Sequence, residues 1–501
     1  MNHDSISFDT VEPISHRTAD IRDAYDQITR RGLEVAGGDI ECNPGYRSNE
    51  NGHFAWDMSL LVRAACLTWR VTRDPLHLQQ AVTWARHMVE RTDEALGLVN
   101  WRGCSGPVWS AGSRYTAGTA RVGAIGGTPI RIQAVADRVI IERPSETTAI
   151  VRAVREGGRT WSSPVVSLLP KEHNYLPDVL GRLSASFSVQ VRGLPAPVDL
   201  TSLIPGEYSL EPQMAAHFVH TGMIVRSLLC VTQELESAGS NAIDVTITPG
   251  ELLAAGKRAL LFHDDEIRTR SGQAWYITPV DFPGRRLGLE LPHNHVVDAA
   301  TAFLILGRRL GDKSLHNHGA SLTRRFLSEI EAYRSGALRH PWFYYPVTSE
   351  IFSGVTRDEP MAERSVPAVP RGEDSSHATM RVRALTEWKA FDSRLVPDRL
   401  LSTVALSFRR HYMSNSEGVV TLRWLPGDGK DSPRRGRTDA YAGAWGTLSP
   451  WDPSIKRRIN SMAHHHPPTE IFGATVLSAA EIFAMNAGIP TYASSDRTAR
   501  A

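Results

Sequence analysis

Five short runs carry side chains able to move protons or grip a polar ligand, and most stand just ahead of an apolar helical stretch. Leu291-Pro292-His293-Asn294-His295 sets two imidazoles around an amide. His293 or His295 can serve as a general base near neutral pH, and Asn294 can hold a carboxylate. Helix capping by Asn294 accounts for the same run without chemistry. Glu373-Asp374-Ser375-Ser376-His377 places two acids and an imidazole on another helix threshold. His377 and one of the carboxylates Glu373 and Asp374 suit an oriented acid/base pair. The acids also suit the positive end of a helix dipole.

Trp342-Phe343-Tyr344-Tyr345-Pro346 is a run of aromatics. Trp342 offers a flat face to a sugar ring, and Tyr344 and Tyr345 offer hydroxyls that can pass a proton. An apolar plug between helices is the plainer reading. Upstream, Asn49 to Asp57 opens an apolar helix, and Arg47, Trp56 and Asp57 are candidates for holding a polar ligand. His217 and His220 lie three apart on an expected helix and share a face. Of the two, His220, beside Thr221-Gly222, is the site candidate. His464-His465-His466 reads as a solvated loop.

Other chemistries lack their signatures. There is no HExxH, zinc-finger or EF-hand spacing, no Walker A loop and no GxSxG elbow. Gly123-Ala124-Ile125-Gly126-Gly127 is no dinucleotide fingerprint and falls among expected strands. No cofactor is expected. A metal held by His293, His295 and His377 would need distant helices to converge.

The elements that position these runs are mostly helical. Asp20 to Val35 has helical spacing and a stop at Gly37-Gly38. Phe54 to Val71 and Leu76 to Val89 form a hairpin through Asp74-Pro75. Between about Ala120 and Leu200 the pattern changes to period two, with Gly, Pro and Asp between short runs, which predicts antiparallel strands. Helices resume with Pro212 to Leu235 and Pro249 to Asp265, and Ser271 to Leu291 reads as a hairpin excursion. Further helices are expected at His295–Leu310, Ser314–Tyr333, His377–Phe391, Pro397–Tyr412, Asp452–Met462 and Pro468–Gly488. The link Arg73-Asp74-Pro75-Leu76 resembles Gly311-Asp312-Lys313-Ser314-Leu315, as in repeated hairpins. The expected fold is mainly α: an (α/α) toroid of about five to six helical hairpins, with residues 1–119 and 201–501 forming it and 120–200 inserted as an antiparallel β segment.

Composition narrows the function. The 501 residues include 56 basic and 54 acidic side chains, a net charge of +2. That balance speaks against nucleic acid and other broad polyanion partners. No stretch approaches a membrane span, and Met1 to Thr18 lacks the pattern of a signal peptide. Cys42, Cys66, Cys104 and Cys230 show no paired spacing. A cytoplasmic location with reduced thiols is the expectation.

The run His293-Asn294-His295 before an apolar helix, then Leu310-Gly311-Asp312, an aromatic patch and Glu373-Asp374 with His377-Ala378, resembles carbohydrate-active helical-toroid proteins. These include the (α/α) toroid polysaccharide lyases and the uronyl C5-epimerase-like group. The likeness runs from about Pro292 to Glu387 and leaves the β segment unaccounted for. This chain also ends in helices, where toroid lyases usually carry a β-sandwich. The resemblance implies an enzyme, a lyase or isomerase, removing the proton at carbon 5 of a uronate in a small saccharide. Asn294 with an arginine such as Arg47 would neutralise the carboxylate, His293 or His295 would be the base, and Tyr344 or Tyr345 the acid. Two other functions fit the sequence. One is glycoside hydrolysis by Asp57 with Glu373 or Asp374. The other is a non-catalytic ligand-binding or assembly protein on the same fold.

Overall fold

The structure is a computed structural model that describes residues 6–7, 18–112, 115–155, 159–183, 187, 189–192, 197–239, 246–284, 287–352, 371–416, 419–426, 441–468 and 470–492. It is mainly helical. The first helices are α1 (Thr18–Cys42), α2 (Ser59–Thr72), α3 (Pro75–Val89) and the short α4 (Asp93–Leu96). A π-helical turn, Phe54–Met58, leads into α2. Helix α5 (Leu176–Leu183) lies among strands. Then come α6 (Phe218–Ala238), α7 (Pro249–Leu261), α8 (His293–Arg309), α9 (Lys313–Arg334), α10 (Ser375–Phe391) and α11 (Asp398–His411). The last are α12 (Ala442–Gly446), α13 (Pro453–His465) and α14 (Gly473–Ala487). Among the described residues no helix is long and apolar enough to cross a membrane.

Local chemistry sets most of these bounds. Asp74 caps α3, its side chain accepting from Leu76 N at 3.1 Å, with Pro75 as first residue. Thr248 and Glu251 form a capping box for α7. One expected stop is overridden. Helix α1 runs through Gly37-Gly38 to Cys42, held by its packing on α14. Tertiary contact outweighs the ~1 kcal/mol helix penalty of each glycine. The hairpin excursion is a two-stranded ribbon, Ile267–Arg270 with Gln273–Tyr276.

One packing order among the helices returns to its start. Helix α2 packs on α6, α6 on α8, α8 on α10, α10 on the short α12, α12 on α14, and α14 on α2. A second helix packs on five of these: α3 on α2, α7 on α6, α9 on α8, α13 on α12 and α1 on α14. At the α6–α8 contact a Cβ on Gly222 would lie 2.9 Å from Ala299 N, so only glycine lets the helices approach this closely. One apolar core joins all of these helices.

The strands form two main antiparallel sheets with a core of their own, including Val122, Ile132, Val139, Ile141, Val151 and Leu180. One orders Glu211–Pro212, Gly118–Ile125, Thr128–Ala134 and Gln190–Arg192. The other orders Gly206–Ser209, Arg138–Ser145, Thr148–Val154 and Thr160–Ser162, with Val166–Ser167 also on Thr148–Val154. Gly126-Gly127, both at positive φ, make the two-residue turn of the first hairpin. The helix expected from Pro212 begins only at Phe218. The backbone before it is already paired, Pro212 with Gly118 and Ala216 with Ser110.

Candidate functional site

Three helices that pack in sequence each present a histidine as their third residue: His220 on α6, His295 on α8 and His377 on α10. The π-turn ahead of α2 presents Trp56 in the same place. These first turns meet at one end of the helical assembly. Trp56 lies edge-on to His220 and to His377, with ring centroids 6.0 and 6.3 Å apart. Tyr344 lies edge-on to His377 at 6.1 Å and to His295 at 6.4 Å. Tyr345 packs on Tyr344 at 5.0 Å. On the other side Tyr115 meets His220 at 4.7 Å and His217 at 5.7 Å. The result is a collar of seven rings: Tyr115, His217, His220, Trp56, His377, Tyr344 and His295. A cavity of about 210 Å³ adjoins it, lined by Tyr115, His217, His295 and Tyr345, and by Val135 from the strand region.

The collar is held from behind. The Trp56 indole N–H donates to His220 Nε2 at 2.9 Å. His220 Nδ1 lies 3.2 Å from the Asn49 amide, and Asn49 donates to Trp109 O at 2.9 Å. Asp374 caps α10, accepting from His377 N at 3.0 Å, and its second oxygen lies 2.6 Å from His377 Nδ1. This contact turns Nε2 of His377, whose side chain is 29% exposed, away from the carboxylate.

The charges follow from these contacts. Burial pulls the His377 pKa down, but the Asp374 bond and charge outweigh it and leave it above 6.5. Burial would raise Asp374, and its bond to His377 holds it below 3.8 instead. Burial depresses His295 to about 3, helped by His377 and His217, and depresses His217 to about 3, helped by His263. Both are neutral at pH 7. Burial raises the Tyr344 phenol, so it keeps its proton. The Arg371 guanidinium stands 4.9 Å from the Tyr344 ring centre and supplies a positive charge beside it.

Several expected site residues are placed elsewhere. Asp57 is buried, accepting from Gly473 N and from the Tyr46 hydroxyl, so it ties the start of α14 to the π-turn. Burial raises it to about 6. Arg47 is exposed and stands outside the collar contacts. Trp342 is wholly buried, donating to Ser407 Oγ at 2.8 Å and packing on Trp445 and Tyr412, so it is core rather than a sugar platform. His293 turns outward, its Nε2 2.9 Å from Glu329, and burial lowers its pKa. Glu373 is fully buried on Arg381 at 2.8 Å, and burial raises it to about 7 against that charge. Asn294 is fully buried, and its amide has no partner among the described residues. It is the second residue of α8, between outward His293 and inward His295.

His293 bonds Glu329, on the other side of α8 from His295. Among the described residues no three His, Cys, Asp or Glu side chains are grouped as metal ligands. Tyr115, Asn49 and Arg371 join the site without having been singled out. Tyr115 lies ahead of the strands, far in sequence from the helix entrances that drew attention. His217 was noted as sharing a face with His220, and it faces the cavity beside it.

Below the collar the helices are locked by ion pairs. Arg226 on α6 pairs with Glu387 on α10, Arg63 on α2 with Asp298 on α8 at 3.4 Å, and Arg70 on α2 with Glu234 on α6. Arg383 on α10 grips both oxygens of Glu481 on α14 at 2.6 and 2.8 Å. Three of these pairs, α2 to α8, α6 to α10 and α10 to α14, join helices that are not neighbours in the packing order.

No known protein-family model matches this chain, and no curated protein matches it.

Proposed function

We propose that this chain is a toroid of helical hairpins whose collar removes the proton from carbon 5 of a uronate in a small saccharide, as a lyase or C5-epimerase. The observation that carries the reading is the Asp374–His377 pair, with His377 Nε2 directed away from its carboxylate and beside a protonated tyrosine. The cyclic packing order of the helices supports the toroid. His377, neutral above its raised pKa, takes the carbon 5 proton on Nε2, and Asp374 steadies the imidazolium that forms. Charge then builds on the substrate carboxylate. Arg371, the first turns of α6 and α8, and the unpaired amide of Asn294 favour it there.

In elimination the electrons left at carbon 5 form a double bond to carbon 4, the bond to the leaving oxygen breaks, and Tyr344 supplies that oxygen with a proton. In epimerisation a proton returns to carbon 5 from the other face. Hydrolysis by two carboxylates is less well supported, because Asp57 is engaged by Gly473 and Tyr46, and Glu373 by Arg381. The test offers a panel of uronate oligosaccharides. Elimination appears as ultraviolet absorbance of the unsaturated product, and epimerisation as deuterium uptake at carbon 5. Neither signal from the whole panel, with saccharide binding intact, would leave a binding protein instead.

A further inference from the structure

The cavity beside the collar holds two carboxylates, and they differ. Glu290 is matched by Arg325, which bonds both its oxygens at 2.9 Å. Glu266 has no such cation. Its Oε1 lies 2.8 Å from His263 Nδ1, and His263 Nε2 lies 3.0 Å from the Thr221 hydroxyl. His263 and Thr221 are fully buried, and Glu266 is 5% exposed. Its second oxygen, Oε2, has no partner among the described residues, although Glu266 lines the cavity.

His263 Nδ1–H donates to Glu266 and fixes the carboxylate against the buried imidazole, with the Thr221 hydroxyl on the far side of the ring. An accessible carboxylate oxygen on a cavity wall can accept a hydrogen bond from a ligand seated there. Around it the wall is largely apolar and aromatic, with Phe218, Ile277 and Phe282 among its members. An apolar wall with one fixed acceptor is how a site takes a sugar ring, face against aromatics and hydroxyls toward the carboxylate.

We infer that Glu266 is a substrate-binding residue that accepts hydrogen bonds from the hydroxyls of a sugar ring seated beside the uronate, and that His263 and Thr221 position it. The inference rests on the proposed saccharide site.

The test is titration calorimetry on the full chain with uronate disaccharides and neutral disaccharides, alongside kinetics on any substrate found. Glu266→Gln is expected to weaken binding about ten- to hundred-fold, the worth of a charge-assisted hydrogen bond. KM should rise with kcat changed little. Thr221→Val, which removes the hydroxyl beside His263, should give a smaller loss in the same direction. Thermal melting of both variants separates this from a structural role, which would lower Tm and leave affinity alone. Unchanged affinity in a folded Glu266→Gln protein overturns the inference and leaves the proposed reaction standing. Neutral disaccharides bound by the parent, lost in Glu266→Gln, with no uronate processed, would support the inference and sink the uronate reading. No saccharide bound by the parent overturns both.

Discussion

The two ends of the helical interior solve opposite problems with the same residue classes. In the collar, His217, His295, His377 and Tyr344 are half-buried. Deeper in, Arg63, Arg70, Arg226 and Arg383 meet four carboxylates, and three of the four pairs join helices that are not neighbours in the packing order. Charge is cancelled where rigidity is needed and left adjustable where a proton has to move. Such pairs add little net stability over apolar packing, but breaking one strands a buried charge.

That contrast can be broken from either side. On the proposed reading, His377→Ala should lower turnover about 10²–10⁴-fold while changing unfolding free energy little, as read by steady-state rates and urea titration. Arg226→Ala should do the reverse. It leaves Glu387 unpaired and should destabilise by about 3–5 kcal/mol. Arg226→Met with Glu387→Leu should recover most of that loss, and no recovery would mean the pair supplies more than charge balance.

Acid should also tell the regions apart. His295 and His217 have folded pKa values near 3, so below 6.5 the unfolded chain binds protons that the native protein refuses. Stability should fall as pH drops from 6.5 toward 3, by ~1.4 kcal/mol per pH unit for each group. His295→Gln should flatten that slope in urea titrations across pH. His377 acts with the opposite sign. Its raised pKa contributes stability below 6.5 and loses it as pH rises through the folded value, the same range in which its base form and the turnover should appear. The smallest effect is expected from Trp56→Phe, which removes the bond to His220 and should cost ~1 kcal/mol in a thermal melt.

The sequence made the helix entrances visible, because histidine and acid runs just ahead of apolar stretches stand out. It did not say which side chain faces inward. His293 and His295 are two residues apart, about 200° around a helix, so one meets α9 and the other the cavity. The stretch Trp342 to Tyr345 divided the same way, into core and collar. The acid run Asp264-Asp265-Glu266 falls at the end of the helix expected to reach Asp265, and only the ribbon that follows it reveals that Glu266 is enclosed. The deeper arginines were legible in principle, Arg63, Arg226 and Arg383 about two turns below the collar and Arg70 about four, but their partners lie on other helices. Helix α12 is too short to leave a periodic signal.

The bonds that bring the first and last helices together reach far along the chain. The Tyr25 hydroxyl donates to Ala463 O across 438 positions, and Gly473 N donates to Asp57 across 416. At about 5–20 residues per second of synthesis, roughly 400 residues take about 20–80 s. For that long α1 and α2 lack the α14 surface they pack on, and Asp57 lacks its bond to Gly473. The contacts that close the helical packing order are therefore among the last to form, and a nascent chain is exposed to misassembly until α14 emerges.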